Sequence, residues 1–422
     1  MPSVTPLRGA EIIAVGSELL GTSRLDTNSL FLAAQLNALG VELRTKHVVG
    51  DHRATLADVF RDARTRADLI VFTGGLGPTD DDLTREVVAE VLGRPLDVDE
   101  AIVERIRARF ARRGMVMPEV NRRQAQVPRG ATVLDNPNGT APGLLIDDDA
   151  RLVVLLPGPP REARPMFERV CDGVLARRAG AQRIYAASLF VTGRSESDVE
   201  QCVQPIYSTW RDAPSPIDTT ILAAMGQIEL HLSTRDADPA SGRARVETAR
   251  DELARALGND VYSTDGRSMP EIVGELLRAR RYSLSAAESC SGGLLLSRLT
   301  DVPGSSEYVY GGVIAYDNEA KIDWLGVPRD LIAQHGAVSE PVAVAMAEGV
   351  RGRTRAEVAL AITGIAGPGG GTPEKPVGTV AIAVLAPDRP AYVRTHLFLG
   401  GREMVKFQST QAALDRVRRM LR

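Results

Sequence analysis

Apolar residues along the chain fall into short runs separated by amphipathic stretches of helical period. EIIAVG predicts a first strand. Thr27–Leu39 predicts a helix closed by Gly40, a natural residue just past a helix end. VELRTKHVV predicts a second strand and Thr55–Arg66 a second helix. DLIVFTGG predicts a buried strand running into a glycine turn, with a helix over Asp80–Leu92 behind it. A basic helix at Ile102–Arg113 and short strands at ATVLD, GLLID and RLVVLLP complete this region. Strand and helix alternate, which predicts a doubly wound α/β sheet of parallel strands.

The pattern changes between Ile184 and Tyr262. Strands in RIYAASLFVTG and GQIELHLST and helices at Glu196–Val203 and Arg243–Leu257 predict a small α+β module. From Met269 the α/β alternation returns. A helix (Pro270–Arg280) leads to strand SLSAAES and a helix from Gly292. Strand VYGGVIAYD, helix Ala343–Arg351, strands VALAITG, VGTVAIAVL and AYVRTHLFL, and a last helix at Glu403–Leu421 follow. With linkers at 179–182 and 263–268, three domains are expected: residues 1–176, 177–264 and 265–422.

Composition narrows the class. Of 422 residues, 44% are hydrophobic but only 4% aromatic, so the cores should be aliphatic. A net charge of −3 gives no bulk basic field, and no direct nucleic-acid binding is expected. Three cysteines are too few for a disulfide framework or a zinc site, which suits a reducing, cytoplasmic setting. MPSVTPLRG has no apolar stretch of signal-peptide type, and the longest apolar runs are strand-sized, so no membrane segment is expected.

Two stretches carry chemistry. The first, TGGLGPTDDDLTR (Thr73–Arg85), sits at the carboxyl end of a predicted parallel strand, where open α/β sheets bind ligands. Gly74, Gly75 and Gly77 let backbone amides approach an anion. Asp80, Asp81 and Asp82 are predicted to open the next helix. Carboxylates facing a phosphate call for a hard cation such as Mg²⁺, held by one or two carboxylates and phosphate oxygens. Acidic residues favoured by a helix dipole are the plainer reading.

The second stretch is AESCSGG (Ala287–Gly293). Strand SLSAA should deliver Glu288, Ser289, Cys290 and Ser291 to the edge of the second sheet. Gly292 and Gly293 would start a helix whose amides hold an anion or oxyanion. Ser289 and Ser291 are both candidate nucleophiles, and both would serve as helix caps. Cys290 is read first as a small buried hydrophobe. His335, in a predicted loop, and His396, in a predicted strand, offer no clear base. Lys321 and Tyr316, after the next strand, do: a desolvated lysine acts as base directly or through the phenol. The loop from Thr363 through Gly364, Gly367, Gly369 and Gly370 is rich enough in glycine to wrap a phosphate or ribose. Arg402 opens the last helix.

The order of these motifs resembles the CinA family. TGGLGPT with its acids, GSELL (16–20), NRRQA (121–125), NGTAPG (138–143) and LPGPPRE (156–162) are similar to the MogA/MoaB-like, molybdopterin-binding-type domain of that family. The resemblance implies hydrolysis of ADP-ribose to AMP and ribose 5-phosphate with a divalent metal. It places Asp81 and Asp82 as the acidic pair, and Gly74, Gly75, Gly77, Asn121 and Asn138 among the substrate contacts. Ser17 departs from the pattern, since many relatives of this fold carry Asp there. AESCSGG, GGVIAYDNEAK, AITGIAGPGGGTPEKPVGTV and GGRE resemble the C-terminal domain of the family, known in stand-alone form as PncC. That domain is implied to be a nicotinamide mononucleotide (NMN) amidohydrolase with no cofactor. It forms nicotinate mononucleotide and ammonia, with Ser289 as nucleophile and Tyr316 and Lys321 as its activating pair. Thr363 and Gly364 are then amide or oxyanion contacts, and Arg402 neutralises the phosphate or polarises the amide. Glu288, Cys290, Ser291 and Gly292 would line the substrate. The middle module resembles the family's KH-like spacer, with GRSES (193–197) as its Gly–Ser turn and no basic GXXG loop for RNA. The resemblance further implies a homodimer. A molybdopterin-pathway binding protein and a non-enzymatic competence or DNA-damage partner are the alternative readings. A recombinase-docking face has no support in the sequence.

Overall fold

The structure, a computed structural model, describes residues 7, 9–22, 24–148 and 151–422. The chain divides into two compact units, residues 1–185 with 235–242, and 186–234 with 243–422. The middle module is thus grouped with the C-terminal domain.

In the first unit, strands β1 (Gly9–Val15), β2 (Glu42–Val49) and β3 (Leu69–Thr73) are separated by helices α1 (Thr27–Ala38) and α2 (Arg53–Arg66). Helix α3 (Thr84–Val91), the ribbon β4 (Leu96–Val98) and β5 (Gln126–Pro128), and helix α4 (Glu100–Ala111) come next. Strands β6 (Thr132–Leu134), β7 (Gly143–Asp148) and β8 (Arg151–Leu156), then helices α5 (Pro160–Val170) and the short α6 (Ala176–Arg178), close the unit. The sheet runs β2-β1-β3-β8-β7-β6. The first four strands are parallel, as the alternation predicts. β7 is antiparallel to both its neighbours, β8 and β6, and the two residues between β7 and β8 are too few for a crossover. Every residue of β1 and β3 is buried. Along β1, Ala10 and Ile12 join one core with Leu32 and Phe167, while Ile13 and Val15 join another with Phe60 and Phe72. Strand alternation thus puts apolar residues on both faces, and helices cover each.

The helix predicted over Asp80–Leu92 begins only at Thr84, so Asp80–Asp82 stand in the turn ahead of it.

The middle module has strands β9 (Arg183–Val191), β10 (Asp218–Ala224), β11 (Gln227–Asp236) and β12 (Val261–Ser263) in the order β10-β11-β9-β12. Helices α7 (Glu196–Tyr207) and α8 (Pro239–Leu257) cover one face through Val199, Val203 and Leu253. The GRSES turn is a helix start. Ser195 and Asp198 form a reciprocal capping box at the head of α7.

The C-terminal domain contains α9 (Met269–Arg280), β13 (Leu284–Glu288), α10 (Leu294–Thr300), β14 (Val309–Ile314), α11 (Asn318–Leu325), α12 (Arg329–His335) and α13 (Glu340–Thr354). Strands β15 (Val358–Gly364), β16 (Thr379–Leu385) and β17 (Tyr392–Leu397) and helix α14 (Arg402–Met420) finish the chain. Its sheet runs β14-β13-β15-β16-β17, parallel across the first three and antiparallel beyond. Helices α9, α10 and α14 pack on one face and α11–α13 on the other. His335 ends α12 rather than lying in a loop, while His396 sits in β17 as the pattern predicts. Among the described residues no helix is long and apolar enough to cross a membrane.

Arg418 fastens the end of α14 to the middle module. It is fully buried and donates to Asp415 at 2.8 Å and to the carbonyls of Val261 and Asn259 at 3.3 and 2.6 Å. Replacing it strands two carbonyls and part of a carboxylate. Arg418→Met keeps most of the volume and is expected to cost about 3 kcal/mol. Urea unfolding of the full chain measures this, and an unchanged midpoint would count against the assignment.

Candidate active site

Three parallel strands of the C-terminal domain, β14, β13 and β15, end side by side. The AESCSGG turn leaves the middle one. Glu288, the last residue of β13, is fully buried, and its carboxylate accepts from the amides of Gly293, Leu295 and Leu296 at 3.0, 3.1 and 3.0 Å. Glu288 therefore holds the start of α10 and does not face a substrate, which corrects its expected place among the substrate contacts. The Ser289 amide donates to Ile362 of β15 at 2.9 Å, and Gly292 donates back to the Ser289 carbonyl at 3.0 Å. Gly292 and Gly293 adopt φ of +62° and +92°, so the turn needs them. They precede α10 rather than start it. Their amides are committed inside the turn, and the oxyanion role expected of them has no free donor.

Ser289 keeps 7% exposure while Ser291 has none, and the Ser291 hydroxyl is enclosed without a partner. Burial pushes the Cys290 thiol up to about 12, the Glu288 charge adding to it and Lys321 and Arg402 opposing, so it is a neutral thiol near pH 7.

Lys321 lies on α11 and is 2% exposed. Its Nζ donates to the Tyr316 carbonyl at 3.0 Å, with the Asp317 carbonyl at 3.5 Å. Desolvation holds the Lys321 amine below its ordinary value, against the opposing charge of Asp317. The Tyr316 phenol takes no part in this. It accepts from Arg402 at 2.9 Å, so the relay from lysine through phenol expected from the sequence is not built. Arg402 also donates to the Gly367 carbonyl at 2.7 Å, tying the glycine loop after β15 to the residues after β14. Thr363 is buried, and its hydroxyl donates to the Ala337 carbonyl at 2.9 Å rather than pointing at a substrate position. Gly364 is packed against Val380, and a Cβ there would lie 2.6 Å from that side chain. Gly367 and Gly370 take φ of +86°, and Gly369 and Gly370 are exposed.

Two lysines went unnoticed in the sequence. Lys375 donates to the carbonyls of His335 and Val338 at 2.9 and 2.7 Å, anchoring the glycine loop from its far side. Lys406, one turn after Arg402 on α14, brings its Nζ within 3.6 Å of where a Cβ on Gly292 would stand. Position i+4 on a helix was the available signal.

The first unit forms a second cluster at the carboxyl ends of β1, β3 and β8. Gly74 donates to the Leu156 carbonyl at 3.0 Å, and Thr84 ties back to Gly74 and Gly75. Gly74 and Gly75 have φ of +96° and +65°. Arg85 is buried and holds the loop by donating to the carbonyls of Leu76 and Arg123 at 2.9 and 3.1 Å, and burial lowers its guanidinium to about 10. Asp82 lies over Gly77 and accepts from the Thr79 amide at 2.9 Å. Asp81 is exposed, while Asp80 pairs with Arg123 at 3.0 Å. Asn121 is buried and bonded to Gln124 at 3.0 Å, on the same segment as Arg123. Asn138 instead holds the Arg161 carbonyl at 2.8 Å, near the start of α5. Ser17 exchanges two hydrogen bonds with Asp51, at 2.8 and 3.0 Å. A carboxylate thus stands beside position 17 from another loop. No group of three or more His, Cys, Asp or Glu side chains among the described residues is arranged to hold an ion. A divalent cation held by Asp81 and Asp82 would need water and substrate phosphate to complete its shell.

A family model described as the CinA C-terminal domain matches residues 266–421, and one described as a probable molybdopterin binding domain matches 11–177. The chain is 47% identical over 425 residues to a "Putative competence-damage inducible protein" of Symbiobacterium thermophilum, with 98% of each covered. It belongs to the CinA family. A "CinA-like protein" of Koribacter versatilis is 46% identical, with 98% of this chain and 99% of that one covered. Among solved structures, the competence/damage inducible protein CihA from Agrobacterium tumefaciens is 38% identical. It covers 35% of this chain and 92% of its own, with a TM-score of 0.34. Ser289, Lys321 and Arg402 lie in the stretch matched by the CinA C-terminal domain, and Gly74–Asp82 in the molybdopterin-type stretch.

Glu288→Gln tests the turn. It turns one acceptor oxygen into an NH₂ that faces backbone N–H groups. A loss of about 2 kcal/mol in unfolding free energy is expected. Stability equal to wild type would remove Glu288 from this role.

Proposed function

We propose that the C-terminal domain hydrolyses the carboxamide of NMN, giving nicotinate mononucleotide and ammonia. The observation that carries this reading is the placement of Ser289, a buried amine of lowered basicity (Lys321) and the Arg402 guanidinium at neighbouring strand ends, where both cations act on Cys290 next to Ser289. Neutral Lys321 accepts the Ser289 hydroxyl proton as the oxygen adds to the carboxamide carbon. The C–N bond then breaks, and the proton on Lys321 leaves with the amine as ammonia. Water, activated by the same lysine, cleaves the acyl-serine ester and restores the serine. Because the Gly292 and Gly293 amides are engaged, the negative charge on the tetrahedral oxygen is assigned to the nearby cations. Lys406, on the Gly292 side of the turn, is assigned to the substrate phosphate.

The N-terminal domain is proposed to hydrolyse ADP-ribose to AMP and ribose 5-phosphate. Asp81 and Asp82 would share a divalent cation with the pyrophosphate, and the glycine loop at Gly74–Gly77 would receive the phosphates. When bound, that cation offsets the charge developing on the phosphate oxygens. Pterin binding by the same domain is the second reading, supported by the description of the family model that matches it. The full-length protein is proposed to act as a homodimer.

Ammonia release from NMN by the full chain is expected with or without EDTA, and to fall by about three orders of magnitude in Ser289→Ala and in Lys321→Met. Wild type that releases no ammonia would overturn the reading. Since the lysine must be neutral to act, the NMN rate should fall as pH drops through a value below the ordinary lysine range. A pH-independent rate would exclude Lys321 as the base. Lys406→Ala should raise KM for NMN by about tenfold while leaving the rate on nicotinamide riboside, which lacks the phosphate, unchanged. Equal losses on both substrates would move Lys406 off the phosphate. ADP-ribose cleavage should require a divalent cation and be lost in Asp81→Asn, and cleavage indifferent to EDTA would reject the shared-metal assignment.

A further inference from the structure

The second unit holds a cleft of about 750 Å³ that the Ser289 site does not use. The Gly193–Ser195 turn and the β10–β11 hairpin form one wall, and β17 with a stripe of α14 forms the other. Two carboxylates line it, and both are engaged. Asp260 accepts from Arg194 at 2.5 Å and Arg419 at 2.9 Å, and Asp415 from Arg418 at 2.8 Å and Arg419 at 2.7 Å. Two other lining arginines, Arg394 and Arg416, have no carboxylate partner among the described residues. Arg394 is exposed. The Arg416 guanidinium lies 4.2 Å from the Tyr392 ring centroid, and its enclosed Nε has no acceptor.

The same wall is flat and aromatic. The His396 and Phe398 rings stack with centroids 5.3 Å apart and planes 4° from parallel, and Tyr392 shares a hydrogen bond of 3.2 Å with His396 Nε2. Desolvation, with Arg394 beside it, holds the imidazole below its ordinary value, so it is neutral near pH 7 and presents a π face rather than a third cation. A third carboxylate near this strand, Glu340, is held by the Thr395 amide at 2.8 Å.

We propose that this cleft is a nucleotide-binding site, with a base against the stacked His396–Phe398 pair and phosphate between Arg394 and Arg416. The volume falls within the range of small-molecule sites. Unpaired guanidinium groups are the side chains best matched to phosphate oxygens. Stacked aromatic rings take any base by its π face. The inference stands apart from the NMN reading, since none of these residues belongs to the Ser289 turn or its partners.

Hydrogen–deuterium exchange of the full chain with and without ADP tests it locally, whatever ADP does elsewhere on the protein. Slower exchange is expected over residues 392–398 and 193–195. Arg394→Glu, a change at an exposed position, and Arg416→Met, which keeps the stem on Tyr392, should each abolish that protection and weaken the matching calorimetric binding event on the order of tenfold. His396→Ala should weaken ADP but not inorganic pyrophosphate. Unaltered exchange in both segments with saturating ADP would overturn the proposal, as would equal protection in Arg394→Glu. Pyrophosphate protecting both segments as strongly as ADP would also overturn it, because a base would then contribute nothing.

Discussion

A carboxylate without exposure organises the Ser289 turn. Glu288 would be costly to bury alone, and it is tolerated because three amides at the start of α10 converge on it. That arrangement forces Gly292 and Gly293 into left-handed geometry, and it carries the chain from β13 through Ser289, Cys290 and Ser291 in a fixed conformation. The presence of a charge there also shapes what the site can recognise. The Gly293, Leu295 and Leu296 amides answer to Glu288 and the Gly292 amide to the Ser289 carbonyl, so none of these four is left for a ligand. Arg402 and Lys406, both on α14, stand beside the turn. Helix α14 thereby becomes part of the site and not only a packing element.

Much of this was legible in the alternation of apolar and polar residues. Strand β15 coincides with the predicted VALAITG, and β13 and α9 differ from their predicted limits by a residue or two. The reason is that both are buried on faces the pattern marks clearly. The antiparallel returns at β7 and β16 were less legible, because a strand's period does not state its direction. Helices α11 and α12 were missed because their apolar stripes are short and broken by Asp323 and by Gly326-Val327-Pro328.

Residue chemistry was legible in kind and less so in partner. The sequence marked Lys321 and Tyr316 as neighbours of the turn, but not that the lysine would reach a backbone carbonyl while the phenol went to Arg402. Five residues of separation do not encode which way two side chains turn. Lys375 and Lys406 look like surface lysines in sequence, and only the fold brings one to the glycine loop and the other to Gly292. In the first unit, Arg85 reads as the polar end of TGGLGPTDDDLTR. Its burial beneath the loop, with carbonyls as its partners, makes it the support on which the glycine conformation rests.

Arg418 also bears on where this chain ends one domain and begins another. The match to the CinA C-terminal domain starts at residue 266, yet the guanidinium near the end of α14 finds its acceptors at Asn259 and Val261, before that boundary. A fragment cut at the family boundary would keep every residue assigned to the Ser289 site and lose the far anchorage of the helix that supplies Arg402 and Lys406. Sequence kinship and mechanical support have different borders here, and the helix crosses from one territory into the other.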